Sequence, residues 1–190
     1  MQFKRFICIA AITATLQGCV AAAVVGVIGG ASVANDNRSI GNQVDDQKIE
    51  LVAHTNLAKI EGLSDNTNLQ VVSFNGKVLI VGQSPNSYLK DLAIKTLNNV
   101  EGIEHIYDQI RIGNTVSVTT KSNDIWLTSK VKTALFAKDE IDATNIKVVT
   151  ENGEVFLMGL IKSAEANAAV EVARNISGVN RVFKMFEYIN

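Results

Sequence analysis

The chain contains the same twelve-residue pattern twice, and this repeat constrains the fold more than any other feature of the sequence. The first copy spans residues 71–82 and the second spans 148–159, an offset of 77 residues, with six of the twelve positions identical. In both copies Asn-Gly lies between two runs rich in β-branched residues. This is the strongest short-range signal for a β-hairpin closed by a type I′ turn.

A two-residue turn fixes which residues of a hairpin face each other. In the first copy Val71 is predicted to lie opposite Ile80, and Ser73 opposite Val78. Because side chains alternate between the two faces of a strand, one face of each hairpin is apolar. The predicted apolar faces contain Leu69, Val71, Val78 and Ile80 in the first copy and Ile146, Val148, Val155 and Leu157 in the second. Two hairpins with the same register predict a tandem pair of one small domain.

The residues on either side of each hairpin predict the same order of elements in both copies. A helix precedes the hairpin, another follows it, and a third strand ends the unit, at 104–112 and 181–189. Each copy is thus predicted to be an α-β-β-α-β domain of the α+β class, a three-stranded sheet with two helices on one face, over residues 44–113 and 114–190. Gly62 is expected to help end the first helix. The predicted helix N-caps are Asp45 or Asp46, Ser84 before Pro85, Asn123 or Asp124, and Ser163.

The sheet face away from the helices is predicted to be apolar in the second domain, although such a face is usually polar where it meets water. We expect this face to pack against the other domain. A binding surface for a partner protein is the alternative. The residues expected at the interdomain contact are Val149, Phe156, Met158, Phe183 and Met185.

The first residues of the chain have the pattern of a bacterial lipoprotein signal. Two basic residues precede a short apolar run, and Leu16-Gln17-Gly18-Cys19 then matches a lipobox, in which a small residue precedes the acylated cysteine. We expect a signal peptide at 1–18 and acyl chains on Cys19. The alternative is a plain signal peptide or a membrane-spanning anchor through 20–33, which the three glycines of that run disfavour.

Residues 19–43 are predicted to be a lipidated tether that is mobile in its second half. Val20, rather than Asp, follows Cys19, which by the bacterial sorting rule predicts the outer membrane, with the domains facing the periplasm. Cys8 is the only other cysteine and leaves with the signal, so no disulfide is expected. Two or three acyl chains suffice for stable anchoring, so further lipid contact would serve recognition rather than retention.

The repeated pattern Val-x-x-x-Asn-Gly-x-Val-x-Leu/Ile-x-Gly, within α-β-β-α-β, resembles the BON family, which is regarded as phospholipid-binding. Val100-Glu101-Gly102-Ile103 matches Ile176-Ser177-Gly178-Val179 at the expected later position. The resemblance covers residues 44–190. With the lipobox, the chain also resembles lipid-anchored members of the family, over the stretches 16–26, 82–86 and 151–160.

This resemblance implies a role in outer-membrane integrity, without catalysis and without a cofactor. It also implies that the second domain binds anionic phospholipid of the phosphatidylglycerol or cardiolipin type. Candidate protein partners are outer-membrane assembly proteins or envelope proteins of the division site. A scaffold that docks on another envelope protein, without direct lipid recognition, is the alternative function.

The only tryptophan lies near the start of the second domain's first helix, away from the positions predicted to be buried. An exposed aromatic residue beside lysines is typical of a helix at a membrane interface. The alternative is that the indole packs on the other domain or caps the core. The predicted phospholipid-contact residues are Trp126, Ser129, Lys130, Lys132, Thr133 and Phe136.

Charge distinguishes the two domains and excludes several functions. Residues 44–113 contain 6 basic and 9 acidic side chains, whereas 114–190 contain 9 of each, so an anionic membrane should select the second domain. A net charge of −1 argues against a polybasic nucleic-acid binder. His54 and His105 lie in different predicted elements, and the sequence shows no nucleophile–base pair or phosphate-binding loop. We therefore expect neither a metal site nor an enzyme.

Overall fold

The computed structural model describes residues 38–189. The predicted signal peptide, Cys19 and most of the predicted tether lie outside the described residues. The described part has the predicted α+β fold, with two similar domains in tandem. The first contains α1 (Ile40–Ala58), α2 (Leu63–Asn66), β1 (Asn68–Phe74), β2 (Lys77–Ser84), α3 (Ser87–Leu97) and β3 (His105–Ile112). The second contains α4 (Val118–Phe136), a 3-10 turn (Ala143–Asn145), β4 (Ile146–Glu151), β5 (Glu154–Lys162), α5 (Ser163–Arg174) and β6 (Arg181–Ile189).

Each domain has a three-stranded sheet with the second strand of the hairpin at its centre. The orders are β1-β2-β3 and β4-β5-β6, and in both sheets the hairpin is antiparallel while the third strand runs parallel to the central one. Val71 lies opposite Ile80 and Val148 opposite Leu157, which confirms the predicted register. The turn residues have positive φ, 52° at Asn75 and 74° at Gly76, as a type I′ turn requires.

Three apolar clusters hold the described residues together. One lies between the helices and the sheet of the first domain and includes Ala53, Ile80 and Leu97. Its counterpart in the second domain includes Val131 and Leu157. The third cluster lies between the two sheets and combines residues of both domains. Among residues 38–189, no helix is long and apolar enough to cross a membrane.

Both long helices begin earlier than predicted. Helix α1 starts at Ile40, where the Ser39 hydroxyl accepts a hydrogen bond from the Asn42 amide, so the predicted tether ends before residue 43. Helix α4 starts at Val118 and is capped in the same way by Ser117. The predicted caps at Asp45 or Asp46 and at Asn123 or Asp124 were therefore wrong. The first turns of both helices are largely exposed and carry no apolar periodicity that would reveal them.

The misassigned aspartates instead bind the hairpin turns. The Asp46 carboxylate accepts hydrogen bonds from the backbone amides of Asn75 at 2.7 Å and Gly76 at 3.0 Å. The Asp124 carboxylate accepts from the amides of Asn152 at 2.7 Å and Gly153 at 2.9 Å. Both aspartates are buried. Each turn is thus held by a charge-assisted contact from the helix that precedes it, and such contacts are stronger than neutral hydrogen bonds.

Asp124→Ala is expected to lower the free energy of unfolding by about 2–3 kcal/mol, because two backbone amides of the turn, one of them buried, would lose a charged acceptor. Chemical denaturation followed by circular dichroism measures this loss. Asp139→Ala is the control, since Asp139 is exposed on the surface of the same domain and should change stability by less than about 0.5 kcal/mol. Equal stabilities for the two variants would contradict the role of Asp124 at the turn.

The other predicted helix ends also need correction. Ser84 is the buried last residue of β2, and α3 is capped two residues later by Asn86, whose side chain accepts from the Leu89 amide. Ser163 is the first residue of α5 rather than its cap. Helix α1 ends at Ala58, and Gly62, with a φ of 74°, precedes the single turn of α2 instead of closing α1.

Candidate functional site

Helix α4 has one face in the core and a second apolar face in water. Leu127, Val131 and Leu135 are buried against the sheet. On the outer side, four large apolar residues fall within a sector of about 100° at the helical rotation of 3.6 residues per turn. They are Val118, Ile125, Trp126 and Phe136, with exposed fractions of 80%, 70%, 58% and 62%. Several large exposed apolar side chains along one side of a helix indicate a candidate interaction surface.

The charges on α4 are all positive at its surface. Asp124 is its only carboxylate, and that side chain is buried and bound to the turn. Lys121 and Lys132 are exposed, and Ser129 and Thr133 lie exposed near the apolar residues. All six residues predicted to contact phospholipid, among them Trp126 and Phe136, thus lie on one helix. The local field of this helix favours an anionic partner.

Lys130 lies beside Trp126 and is also bonded within its own domain. Its ammonium lies 3.8 Å from the centre of the Trp126 ring, and it donates a hydrogen bond of 2.7 Å to the Ser177 carbonyl oxygen. A cation over the face of an indole is attracted by the ring electrons. Lys130 therefore orients the Trp126 side chain. The Lys121 ammonium donates a hydrogen bond of 2.6 Å to the Asn68 side chain, and Lys132 adds a further exposed ammonium group to α4.

The equivalent helix of the first domain is less suited to an anionic surface. Helix α1 also exposes apolar side chains, at Ile40, Val44 and Leu51, but it has no aromatic residue. Exposed Asp45 offsets exposed Lys48, so the surface of this helix has no excess of cations. The contrast between the helices follows from their residues, since their positions in the two domains are equivalent.

A groove runs beside α4, between the two domains. First-domain residues Asn68 and Gln70 line it together with Lys121, Lys132 and Glu151 of the second domain. Burial raises the pKa of the Glu151 carboxyl group above its ordinary value. The hydrogen bond that Gln83 donates to it lowers this pKa, Asp124 raises it, and Lys121 lowers it.

The five residues predicted at the interdomain contact lie in the apolar cluster between the sheets. Phe156 and Met158 are each only 1% exposed. The Phe156 ring stacks on the Phe183 ring, with their centroids 4.9 Å apart and their planes 8° from parallel. The first domain contributes Val72, Phe74, Leu79 and Val81 to the same cluster.

Ion pairs surround this apolar contact and join the two domains. They link Lys77 to Glu187 at 3.2 Å, Arg111 to Glu154 at 3.0 Å and Lys147 to Glu50 at 2.8 Å. Sequence analysis missed these residues. A signal was available, because Lys77 and Glu154 occupy the same position of the repeat with opposite charges.

The two histidines lie apart from this site. Both are exposed, and His105 packs edge-on against Tyr107, with ring centroids 4.5 Å apart. Across the described range, 38–189, no group of three or more histidine, cysteine, aspartate or glutamate side chains is placed to hold a metal ion.

The fold and the repeated hairpins agree with what comparison with known families shows. The BON domain model matches residues 45–114 and 123–190, and the chain belongs to the BON family. It is similar to Outer membrane lipoprotein DolP of Haemophilus influenzae, with 39% identity over 98% of this chain and 97% of that protein. It is 44% identical to the 21 kDa hemolysin of Actinobacillus pleuropneumoniae, over 81% of this chain and 79% of that one. Osmotically-inducible protein Y of Escherichia coli is 29% identical over 80% of this chain and 77% of its own.

Proposed function

We propose that this protein is a lipid-anchored outer-membrane protein that faces the periplasm, binds anionic phospholipid through α4 and supports outer-membrane integrity. The lipobox at Cys19 supports the anchor, and the name of the H. influenzae relative supports the location. Phosphatidylglycerol or cardiolipin is the ligand class, and a catalytic role is not part of the proposal.

The observation that carries the proposal is the surface of α4, where exposed apolar side chains occur together with cations alone. Indole and phenyl rings are stabilised at the headgroup level of a bilayer, and each lysine near an anionic surface adds about 1 kcal/mol. An acylated Cys19 would hold the domains beside headgroups at high effective concentration, so a weak contact is sufficient.

Trp126→Glu is expected to abolish binding of the folded domains, residues 38–190, to phosphatidylglycerol vesicles. Burial of the indole contributes about 1.5–3 kcal/mol, which corresponds to roughly a tenfold to a hundredfold change in affinity. The introduced carboxylate also repels the anionic surface. Vesicle co-sedimentation measures the loss, and circular dichroism should show an unchanged fold because Trp126 is outside the core.

Two variants serve as references for this experiment. Tyr88→Glu replaces an exposed aromatic residue of α3 and should leave vesicle binding unchanged. Lys132→Glu should weaken binding by less than Trp126→Glu, since it removes one cation and no apolar contact. The proposal fails if Trp126→Glu stays folded and binds like the unmodified protein, or if neither phosphatidylglycerol nor neutral vesicles bind.

Docking on another envelope protein is the second candidate function, and one observation favours it. Ile40, Val44 and Leu51 fall on a narrow exposed stripe of α1, which has no aromatic anchor for a membrane. An apolar stripe at helical spacing can lie in a groove of a partner protein. Loss of envelope function in Leu51→Glu, with vesicle binding retained, would support this role.

A further inference from the structure

The two sheets pack through equivalent strands, so the interface has an approximate two-fold relation between the domains. Lys77 and Glu154 are equivalent, because each is the first residue of the central strand. Arg111 and Glu187 are equivalent, because they occupy matching positions in β3 and β6, opposite Gln83 and Leu160 respectively. The pairs Lys77–Glu187 and Glu154–Arg111 therefore lie at equivalent corners of the interface, with their charges interchanged.

Both corners are well formed. The Glu187 carboxylate receives the Lys77 ammonium at 3.2 Å and also accepts a hydrogen bond from the Asn75 side chain at 3.1 Å. The Glu154 carboxylate receives Arg111 at 3.0 Å and Arg181 at 3.4 Å. Each corner thus has one carboxylate held by donors, at the edge of a buried apolar contact.

This arrangement opposes pairing between two like domains. If two first domains met through the same face, Lys77 would lie against Arg111 at both corners. If two second domains met, Glu154 would lie against Glu187 at both corners. Like charges at an interface are unfavourable, so the interchange of charges discriminates between partners.

A second contact between the domains, from Gln83 to Glu151, also disfavours the pairing of like domains. Gln83 donates a hydrogen bond to Glu151 across the interface. The equivalents of these residues, Leu160 and Phe74, both belong to the apolar cluster between the sheets. Pairing of like domains would place Gln83 against Phe74 and Glu151 against Leu160. The Gln83 side-chain N–H and the Glu151 carboxylate would then face apolar side chains without the bond between them, which is costly.

We propose that each sheet face is a binding surface specific for the unlike domain. A first-domain face accepts a second-domain face, and like faces of separate copies reject each other. The apolar cluster supplies most of the buried contact. The charges of Lys77, Arg111, Glu154 and Glu187 supply most of the specificity, and the Gln83–Glu151 contact adds to it. This inference does not depend on whether α4 binds lipid.

The test is a charge exchange between the domains, Lys77→Glu with Glu154→Lys, which leaves composition and net charge unchanged. Both corners within one chain then become repulsive, whereas both like-domain pairings between two chains become attractive. The ratio of closed to open chains should fall by about tenfold to a hundredfold, because two ion pairs are lost and two repulsions replace them. Analytical ultracentrifugation should show a concentration-dependent dimer, and the melting temperature should decrease.

A quadruple variant restores both ion pairs between the domains with their charges reversed. Adding Arg111→Glu and Glu187→Arg returns opposite charges to both corners of a single chain, so the monomer should recover. The melting temperature should recover only in part, because the lysine at position 154 still faces Arg181. Lys95→Glu with Glu140→Lys exchanges exposed charges away from the interface and should remain monomeric. The proposal is overturned if the double variant forms no more dimer than the Lys95→Glu, Glu140→Lys control at any concentration tested, or if the quadruple variant dimerises as much as the double variant.

Discussion

Gly82→Ala is expected to lower the free energy of unfolding by about 4 kcal/mol, combining backbone strain of about 1–3 kcal/mol with overpacking of about 1–3 kcal/mol. Gly82 has a φ of 127°, a region that residues with a side chain rarely adopt. A Cβ atom here would overlap the carbonyl oxygen of Asn68 in β1. Because the obstacle is backbone, relief requires β1 to move away from the central strand. Urea denaturation followed by circular dichroism measures the loss.

Gly113→Ala is the matched control for this substitution. Gly113 follows β3, and a Cβ atom there would meet no other atom within 4 Å. The control should change stability by no more than about 1 kcal/mol, in the stabilising direction, because alanine restricts the unfolded chain. If Gly82→Ala were as stable as Gly113→Ala, the close approach of β1 to Gly82 would be refuted.

Phe156→Ala is expected to cost about 3–5 kcal/mol, the range for removing a buried phenylalanine. The side chain is 1% exposed and fills the space between the two sheets, stacked on Phe183. A cavity at this point removes contacts from both domains, so melting of the two domains should also become less cooperative. Differential scanning calorimetry would show a lower and broader transition.

Phe136→Ala removes the same side chain from the exposed face of α4. It should alter stability by less than about 0.5 kcal/mol, since Phe136 is 62% exposed. Because both variants replace phenylalanine with alanine, a difference in their stabilities reports the burial of the side chain rather than its chemistry. If the two variants have the same melting temperature, the contact between the sheets contributes little to stability and Phe156 has been assigned the wrong environment.

The hairpins were the part of the fold that the sequence determined most clearly. Asn-Gly at the turn and the alternating apolar residues led to the observed register, including Val71 opposite Ile80. The last strand was predicted at the observed limits, Arg181–Ile189. These features depend on residues that are near one another in the chain, and the geometry of the backbone fixes the relative positions of such residues.

The helix starts were harder to predict because their signals are ambiguous. An aspartate ahead of an apolar repeat suggests an N-cap, yet Asp46 and Asp124 lie inside their helices and bind turns about 30 residues later. Ser84 before Pro85 suggests a cap as well, although Ser84 ends a strand. A polar residue has several ways to satisfy its hydrogen bonds, and only the folded chain selects among them.

At the candidate site, too, the sequence predicted some features and missed others. Helical spacing placed Trp126 outside the buried face, where the structure has it. The same spacing placed Lys130 beside Trp126, four positions away. It did not reveal the bond from Lys130 to the Ser177 carbonyl, since that contact joins residues 47 positions apart. The ion pairs between domains were missed for the same reason.

The interchanged ion pairs restrict how this protein can change during evolution. A mutation that reverses the charge at position 77 alone leaves two negative charges facing each other, and a reversal at position 187 restores the attraction. The same coupling joins positions 111 and 154. Charges at these positions should therefore co-vary among descendants of the same duplicated domain as a set of four, because reversal of one pair alone would make like domains attract each other.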